Sequence, residues 1–269
     1  MVALSLALAG CRASLPAASP TPQTVSLRLL VDGASTPLLR DLANHFHADN
    51  ALITWDILTL EPRFALAELA RSEVPFAVLS YLPDPRLVAE NGSLWATPIG
   101  QLGIAFVVHP SNLISNLTPS QARALLRGQV RNWAELGGAD RPVQVVARPA
   151  ESSESGIVQA LLLGNQPITR TARLAPTSQS VLDLVRADPN SIGYVATGYI
   201  SEGVRLVAFD GVLPTPEALT AGSYALRSPI LVVGKAEPAN DLYRAFFAWI
   251  QSPAGQQLVR RSHGALPTQ

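Results

Sequence analysis

Residues Pro98 to Arg148 read PIGQLGIAFVVHPSNLISNLTPSQARALLRGQVRNWAELGGADRPVQVVAR. The segment QLGIAFVVHPSN opens as a long apolar strand and runs into a turn at His109-Pro110. Thr118-Pro119 is a helix start signal and Gly128 a stop, so TPSQARALLRG predicts one short helix. NWAELGG closes that unit, and VQVVAR begins the next strand at Val143. Strand, helix and strand in this order, each bounded by turn residues, point to an open α/β sheet.

The same alternation extends outward in both directions. Before the segment, VSLRLLVD (Val25 to Asp32) predicts a strand, and GAST a loop. PLLRDLANHFHAD then predicts a helix with Pro37 in its first turn and Leu38, Leu39, Leu42 and Phe46 near one face. LITWDILTL is a second strand, RFALAELARS a helix and VPFAVLS a third strand. After it, SVLDLVRADPN reads as a helix, while SIGYVAT, VRLVAFDG and SPILVVGK read as strands. ANDLYRAFFAWIQS is an amphipathic helix near the C-terminus, and no internal repeat is visible.

Composition sets the bounds. The 269 residues are 48% hydrophobic and 15% charged, enough to bury a real core. Twenty basic and twenty acidic residues give a net charge of zero, which argues against a nucleic-acid partner. The one cysteine, Cys11, excludes an internal disulfide and any Cys-based metal cluster. It follows the apolar run Val2 to Ala9, far shorter than the about 20 residues that span a bilayer. LALAGC has the form of a secretion-signal core ending in small residues, and Leu8 to Cys11 resembles a bacterial lipobox whose cysteine is lipidated. Residues 1–11 are therefore expected to be a lipoprotein signal segment and 12–25, rich in Ala, Ser, Pro and Thr, a flexible tether. That arrangement implies an extracytoplasmic protein anchored to the membrane.

Two loops share one physical form: a strand, a hydroxyl-rich turn, then a helix. The first is DGASTPLL, with Ser35 and Thr36 ahead of the helix. The second is VARPAESSESGIV, where Arg148 precedes Ser152, Ser153, Ser155 and Gly156. Serine and threonine are ordinary helix caps, and capping alone accounts for either loop. Free N–H groups at a helix start also favour an anion, and Arg148 adds a charged fork of donors. Both readings stand on the residues alone.

The order of pieces carries a resemblance. The segment Pro98–Arg148, then SIGYV, FDGVLPTPEALTAGSYALRSPI and FFAWIQSPAGQQLVRRSHGALP, together resemble the periplasmic-type phosphate-binding proteins of ABC importers, from Ser26 to Pro267. The resemblance implies an α/β, two-lobed type II periplasmic-binding-protein fold with two hinge-crossing strands, near Gly103 to Val107 and Tyr224 to Val232. Lobe 1 is expected over 26–103 plus 225–269 and lobe 2 over 104–224. It implies an oxyanion held by Ala34, Ser35, Thr36, Ser80 and Arg148, with the serine loop in one of two registers. A strict count selects Ser152 and Ser153; matching the Ser-Gly pair before the helix selects Ser155 and Gly156 and fits the helix better. The family carries an acidic residue in its third-strand motif, which accepts the proton of hydrogen phosphate; Phe76 stands about there. The expectation is weakened discrimination against sulfate. Glu151 and Glu154, beside an anion, are expected to face solvent.

The resulting expectation is a lipid-anchored solute-binding protein, monomeric, that delivers phosphate or a related oxyanion to ABC permease subunits. It needs no cofactor, no metal and no catalytic residue. The alternative is a sensory or structural module that keeps the fold with weak or altered anion binding; a serine hydrolase lacks a recognisable base. His45 and His47, two apart on a helix, share no face, and His109 and His263 have no partner at metal-ligand spacing. Trp55, Trp95, Trp133 and Trp249 are expected in packing.

Overall fold

A computed structural model describes residues 24–71, 74–82, 94–164 and 166–267. Cys11, the signal segment and nearly all of the expected tether lie outside the described residues. Val25, at the tether's expected end, already belongs to the first strand.

The first lobe is built on parallel pairing. β1 (Val25–Val31) lies between β2 (Ile53–Thr59) and β3 (Phe76–Leu79) and is parallel to both. Such strands are covered on both faces, which is why the ends of β1 and β3 are continuous apolar runs, buried from Leu29 to Val31 and from Phe76 to Leu79. α1 (Thr36–Asp49) buries Leu38, Leu39, Leu42, Ala43 and Phe46 on the sheet, one stripe of a 3.6-residue period. α2 (Pro62–Arg71) covers the other face with Ala65, Leu66 and Leu69.

β4 (Trp95–Val108) joins the lobes. Trp95 to Gly103 pair antiparallel with β10 (Arg227–Gly234), which in turn pairs with β3. From Ile104 to Val108 the same strand pairs with β8 (Ser191–Ala196), in the second lobe. The return path is held against it, since Ile104 donates its N–H to the Leu226 carbonyl at 2.9 Å. The Tyr224 hydroxyl donates to the Ile104 carbonyl at 2.6 Å. Two adjacent crossings at one point make a hinge.

In the second lobe β8 is parallel to β6 (Gln144–Ala147), and β6 to β7 (Arg173–Leu174). β9 (Arg205–Phe209) pairs with β4 and with β5 (Asn116–Leu117). α3 (Pro119–Leu126) starts on a reciprocal cap between Thr118 and Gln121. α4 (Ser153–Val158) continues through a wider turn over Gln159–Leu163, and α5 (Ser178–Ala187) packs on β8. After α6 (Pro216–Ala221) the chain returns to the first lobe, where α7 (Asp241–Gln251) and α8 (Pro253–Val259) close it.

An aromatic cluster fixes that closure. Phe46, Trp55, Tyr243, Phe246, Phe247 and Trp249 lie with ring centroids 4.1 to 6.3 Å apart. Phe76 belongs here too, at 6.0 Å from Trp95, 5.1 Å from Tyr243 and 5.2 Å from Phe247. The placement of Phe76 at the ligand's proton is thus overturned: it faces the core of the first lobe. Trp133 is buried and donates its indole N–H to the Asn190 carbonyl. Among the described residues, no helix is long and apolar enough to cross a membrane.

Candidate functional site

Three strands end at one place. Asp32 follows β1, Ser80 follows β3 and Arg148 follows β6, so their side chains meet outside the carboxyl ends of parallel strands, where open α/β sheets form their crevices. Asp32 is fully buried and organises the meeting. One oxygen of its carboxylate accepts the Ser35 N–H at 2.8 Å. The other accepts the Ser80 N–H at 2.6 Å, the Ser80 hydroxyl at 2.7 Å and the Ser153 hydroxyl at 2.7 Å. Ser153 begins α4 in the second lobe, so this last bond crosses the cleft.

The first hydroxyl loop is not a capping loop in the ordinary sense. Ser35 precedes α1, yet its side chain makes no cap bond. Its hydroxyl is buried without a hydrogen-bond partner among the described residues. The Thr36 hydroxyl donates to the Asp32 carbonyl at 2.8 Å and meets Thr59 at 3.1 Å, while Ala34 is core. In the second loop Ser152 does cap, accepting the Ser155 N–H at 3.2 Å. The Ser155 hydroxyl donates to the Arg148 carbonyl at 3.0 Å and lies 2.8 Å from the Tyr194 hydroxyl. Gly156 lies under the Tyr81 ring, where an added Cβ would come within 2.4 Å.

Arg148 is buried and bound on several sides. It donates to the Ala175 carbonyl at 3.1 Å and to a Glu61 oxygen at 3.3 Å, the latter across the cleft. Its Nε lies 3.5 Å from a Glu154 oxygen, an ion pair without hydrogen-bond geometry. Glu154, expected in solvent, is instead fully buried and accepts the Ser178 hydroxyl; Glu151 remains exposed. Glu154 turns inward because a guanidinium and a hydroxyl from another helix await it. Desolvation pushes the Glu61 carboxyl up to about 7, with the nearby Glu154 charge adding and Arg148 opposing. A second tyrosine, Tyr199, donates its hydroxyl across to the Gly33 carbonyl at 2.8 Å, and burial pushes it up to about 12.

The structure therefore brings Ser35, Ser80, Arg148, Ser153 and Ser155 to one cleft. Thr36, Ala34 and Ser152 support its walls. The sequence reading missed Asp32 and Glu61. Asp32 closes the strand predicted over Val25 to Asp32, and its place there, beside a hydroxyl loop, is the available signal. Among the described residues no three His, Cys, Asp or Glu side chains are grouped as a metal ion would need. His45 and His47 bind nearby carbonyls, His109 binds Ser111, and His263 is buried.

Two α/β lobes hinged on paired crossing strands, with a buried polar cleft between them, define the class of periplasmic-binding-protein-like molecules. The chain belongs to the PBP superfamily: the model described as PBP superfamily domain matches residues 17–254. It is similar to the phosphate-binding protein PstS of Bacillus subtilis, 22% identical over 90% of this chain and 80% of that protein. It is 24% identical to the PstS of Borreliella burgdorferi over 58% of this chain, a match that spans only 60% of that relative's length. Among solved structures, one from Clostridium perfringens, described as a phosphate ABC transporter substrate-binding protein with bound phosphate, is 25% identical with a TM-score of 0.84. That likeness covers 91% of this chain and 100% of the other.

Proposed function

We propose that this chain captures phosphate or a related oxyanion between its lobes and delivers it to an ABC permease, without covalent chemistry. The observation that carries this reading is the convergence on Asp32. Serine hydroxyls and a guanidinium supply donors, and one buried carboxylate supplies an acceptor. A hydrogen phosphate ion presents both kinds of group, oxyanion oxygens and a proton to donate, whereas sulfate presents only oxygens. Asp32 takes the part that Phe76 left vacant, so discrimination between the two anions is strong. The relatives named PstS and the phosphate-bound neighbour support the ligand class.

Lobe 1 is taken as 26–103 plus 225–269 and lobe 2 as 104–224. The protein works outside the cytoplasm as a monomer, held to the membrane through a lipidated Cys11. A Cys11→Ser chain then leaves the membrane fraction, and continued sedimentation with membranes refutes the anchor. Titration calorimetry with phosphate, sulfate, molybdate and tungstate tests the ligand. Phosphate heats with no sulfate competition support the reading; no heat with any of the four at millimolar concentration refutes it. One observation favours a second reading, a sensory or structural module with altered binding: Arg148 is already paired with Glu61 and Glu154.

A further inference from the structure

The cleft does not end at the polar cluster. Beyond Arg148 and Ser155 it opens into a groove of about 720 Å³, bordered by both lobes. Liquid water takes roughly 30 Å³ per molecule, so an oxyanion of five heavy atoms needs at most about 150 Å³. A groove in the range of roughly 300 to 1,000 Å³ is one that holds an organic molecule. Its walls agree with that size. Pro62 and Tyr81 contribute from the first lobe, and Pro167, Ile168 and Leu174 from the second. Leu174, at 69% exposure, presents apolar surface to the groove it lines. Arg63 and Arg170 also line the groove, against the single carboxylate Glu151, so an anionic ligand meets favourable charge along its length.

The junction between cluster and groove is built rather than incidental. Arg148 is only 4% exposed, lines the groove, and keeps its Nε without a hydrogen-bond partner among the described residues. The Tyr81 ring lies against Gly156 at the same junction, a contact that needs the missing Cβ. An aromatic face at the neck of an apolar groove suits a carbon skeleton attached to an anion head.

We infer that the ligand of this cleft is an organic phosphate, a phosphomonoester or phosphonate with a short apolar body, whose phosphoryl group meets Arg148 and Ser155. Its body lies along Tyr81, Ile168 and Leu174. This rests on the oxyanion reading above and names the substrate class within it.

The test is calorimetry on the full chain with orthophosphate and with phenyl phosphate at one pH and ionic strength. Phenyl phosphate binds at least tenfold more tightly than orthophosphate, and Ile168→Ser lowers that ratio at least threefold. If orthophosphate binds and phenyl phosphate binds no better, the organic-ligand inference is overturned while the oxyanion reading survives. If neither binds, both fall. An ester preference that Ile168→Ser and Leu174→Ser leave untouched also overturns the groove as the seat of the ligand's body.

Discussion

At the scale of single residues, Asp32 is the position on which the cleft depends, because one carboxylate answers four donors from three segments. Asp32→Asn keeps the shape but replaces an acceptor oxygen with a donor, so at least one of those groups loses its partner, at about 1–3 kcal/mol for a buried donor. The expected outcome in competition titration is a phosphate affinity reduced at least tenfold, about 1.4 kcal/mol, with sulfate affinity unchanged or raised. Equal losses for both anions would show that Asp32 only holds the loops in place. Gly156 is required for a different reason. Its added Cβ would sit 2.4 Å from the Tyr81 ring, so Gly156→Ala must displace that ring and hold the lobes apart. Ligand affinity drops, and Tyr81→Ala in the same chain recovers part of it; no recovery means the alanine acts within α4 alone. Residues such as these were the least legible in the sequence. Arg148 and the serine loop could be found because a charge and a run of hydroxyls stand out locally. Asp32 and Glu154 carry a weaker signal, since their partners are far away along the chain, Ser80 and Ser153 for Asp32 and Ser178 for Glu154. Phe76 misled for the complementary reason: its linear position near Ser80 says nothing of which face of β3 it occupies.

At the scale of elements, periodicity was enough. The strands β1, β2, β3, β6, β8, β9 and β10 and the helices α1, α2, α3, α5 and α7 all lie on segments whose apolar spacing or turn residues predict them. The short pieces β5 and β7, two residues each, are not legible because their pairing is tertiary. The crossing strand β4 was legible as a strand, but it begins at Trp95, earlier than its apolar run, because β10 supplies a partner for the polar part. Its pairing passes from β10 to β8 at Gly103, where an added Cβ would come 2.8 Å from Leu219 and 2.9 Å from Thr197. The glycine lets α6 and the turn after β8, both in the second lobe, close on the hinge strand. Gly103→Ala overpacks that site and is expected to cost about 1–3 kcal/mol in urea unfolding. Leu219→Ala added to it restores part of the loss, which separates crowding from any effect on the strand itself. If the single variant unfolds at the wild-type urea concentration, the hinge has room that the geometry denies it.

At the scale of the whole molecule, polar contacts that bridge the cleft include Ser153 to Asp32, Arg148 to Glu61 and Tyr199 to Gly33. One of them titrates near neutrality. The Glu61 carboxyl is pushed up to about 7, first by burial and then by Glu154 and Asp32, with Arg148 pulling the other way. A group raised on folding from 4.5 stabilises fully below that value and loses its contribution as pH rises through about 7. His263 runs oppositely: burial lowers it from 6.5 to about 4, so its contribution is present above 6.5 and lost as pH falls through 4. Between 4.5 and 6.5 the two slopes oppose, and His263→Gln is expected to flatten the acid side of a urea stability profile. Glu61 also couples to the ligand. An anion entering beside it disfavours the charged carboxylate, just as Glu154 and Asp32 do, so binding draws a proton onto Glu61. Calorimetry at pH 7 in buffers of different ionisation enthalpy reads that proton directly. Phosphate's own protonation contributes equally to wild type and to Glu61→Gln, so the difference between them isolates the side chain. Wild type takes up more protons per anion bound than Glu61→Gln, and its affinity falls more steeply from pH 6 to pH 8. Identical uptake in the two proteins would mean that the anion lies too far from Glu61 to sense it, and that the cleft closes on some other group.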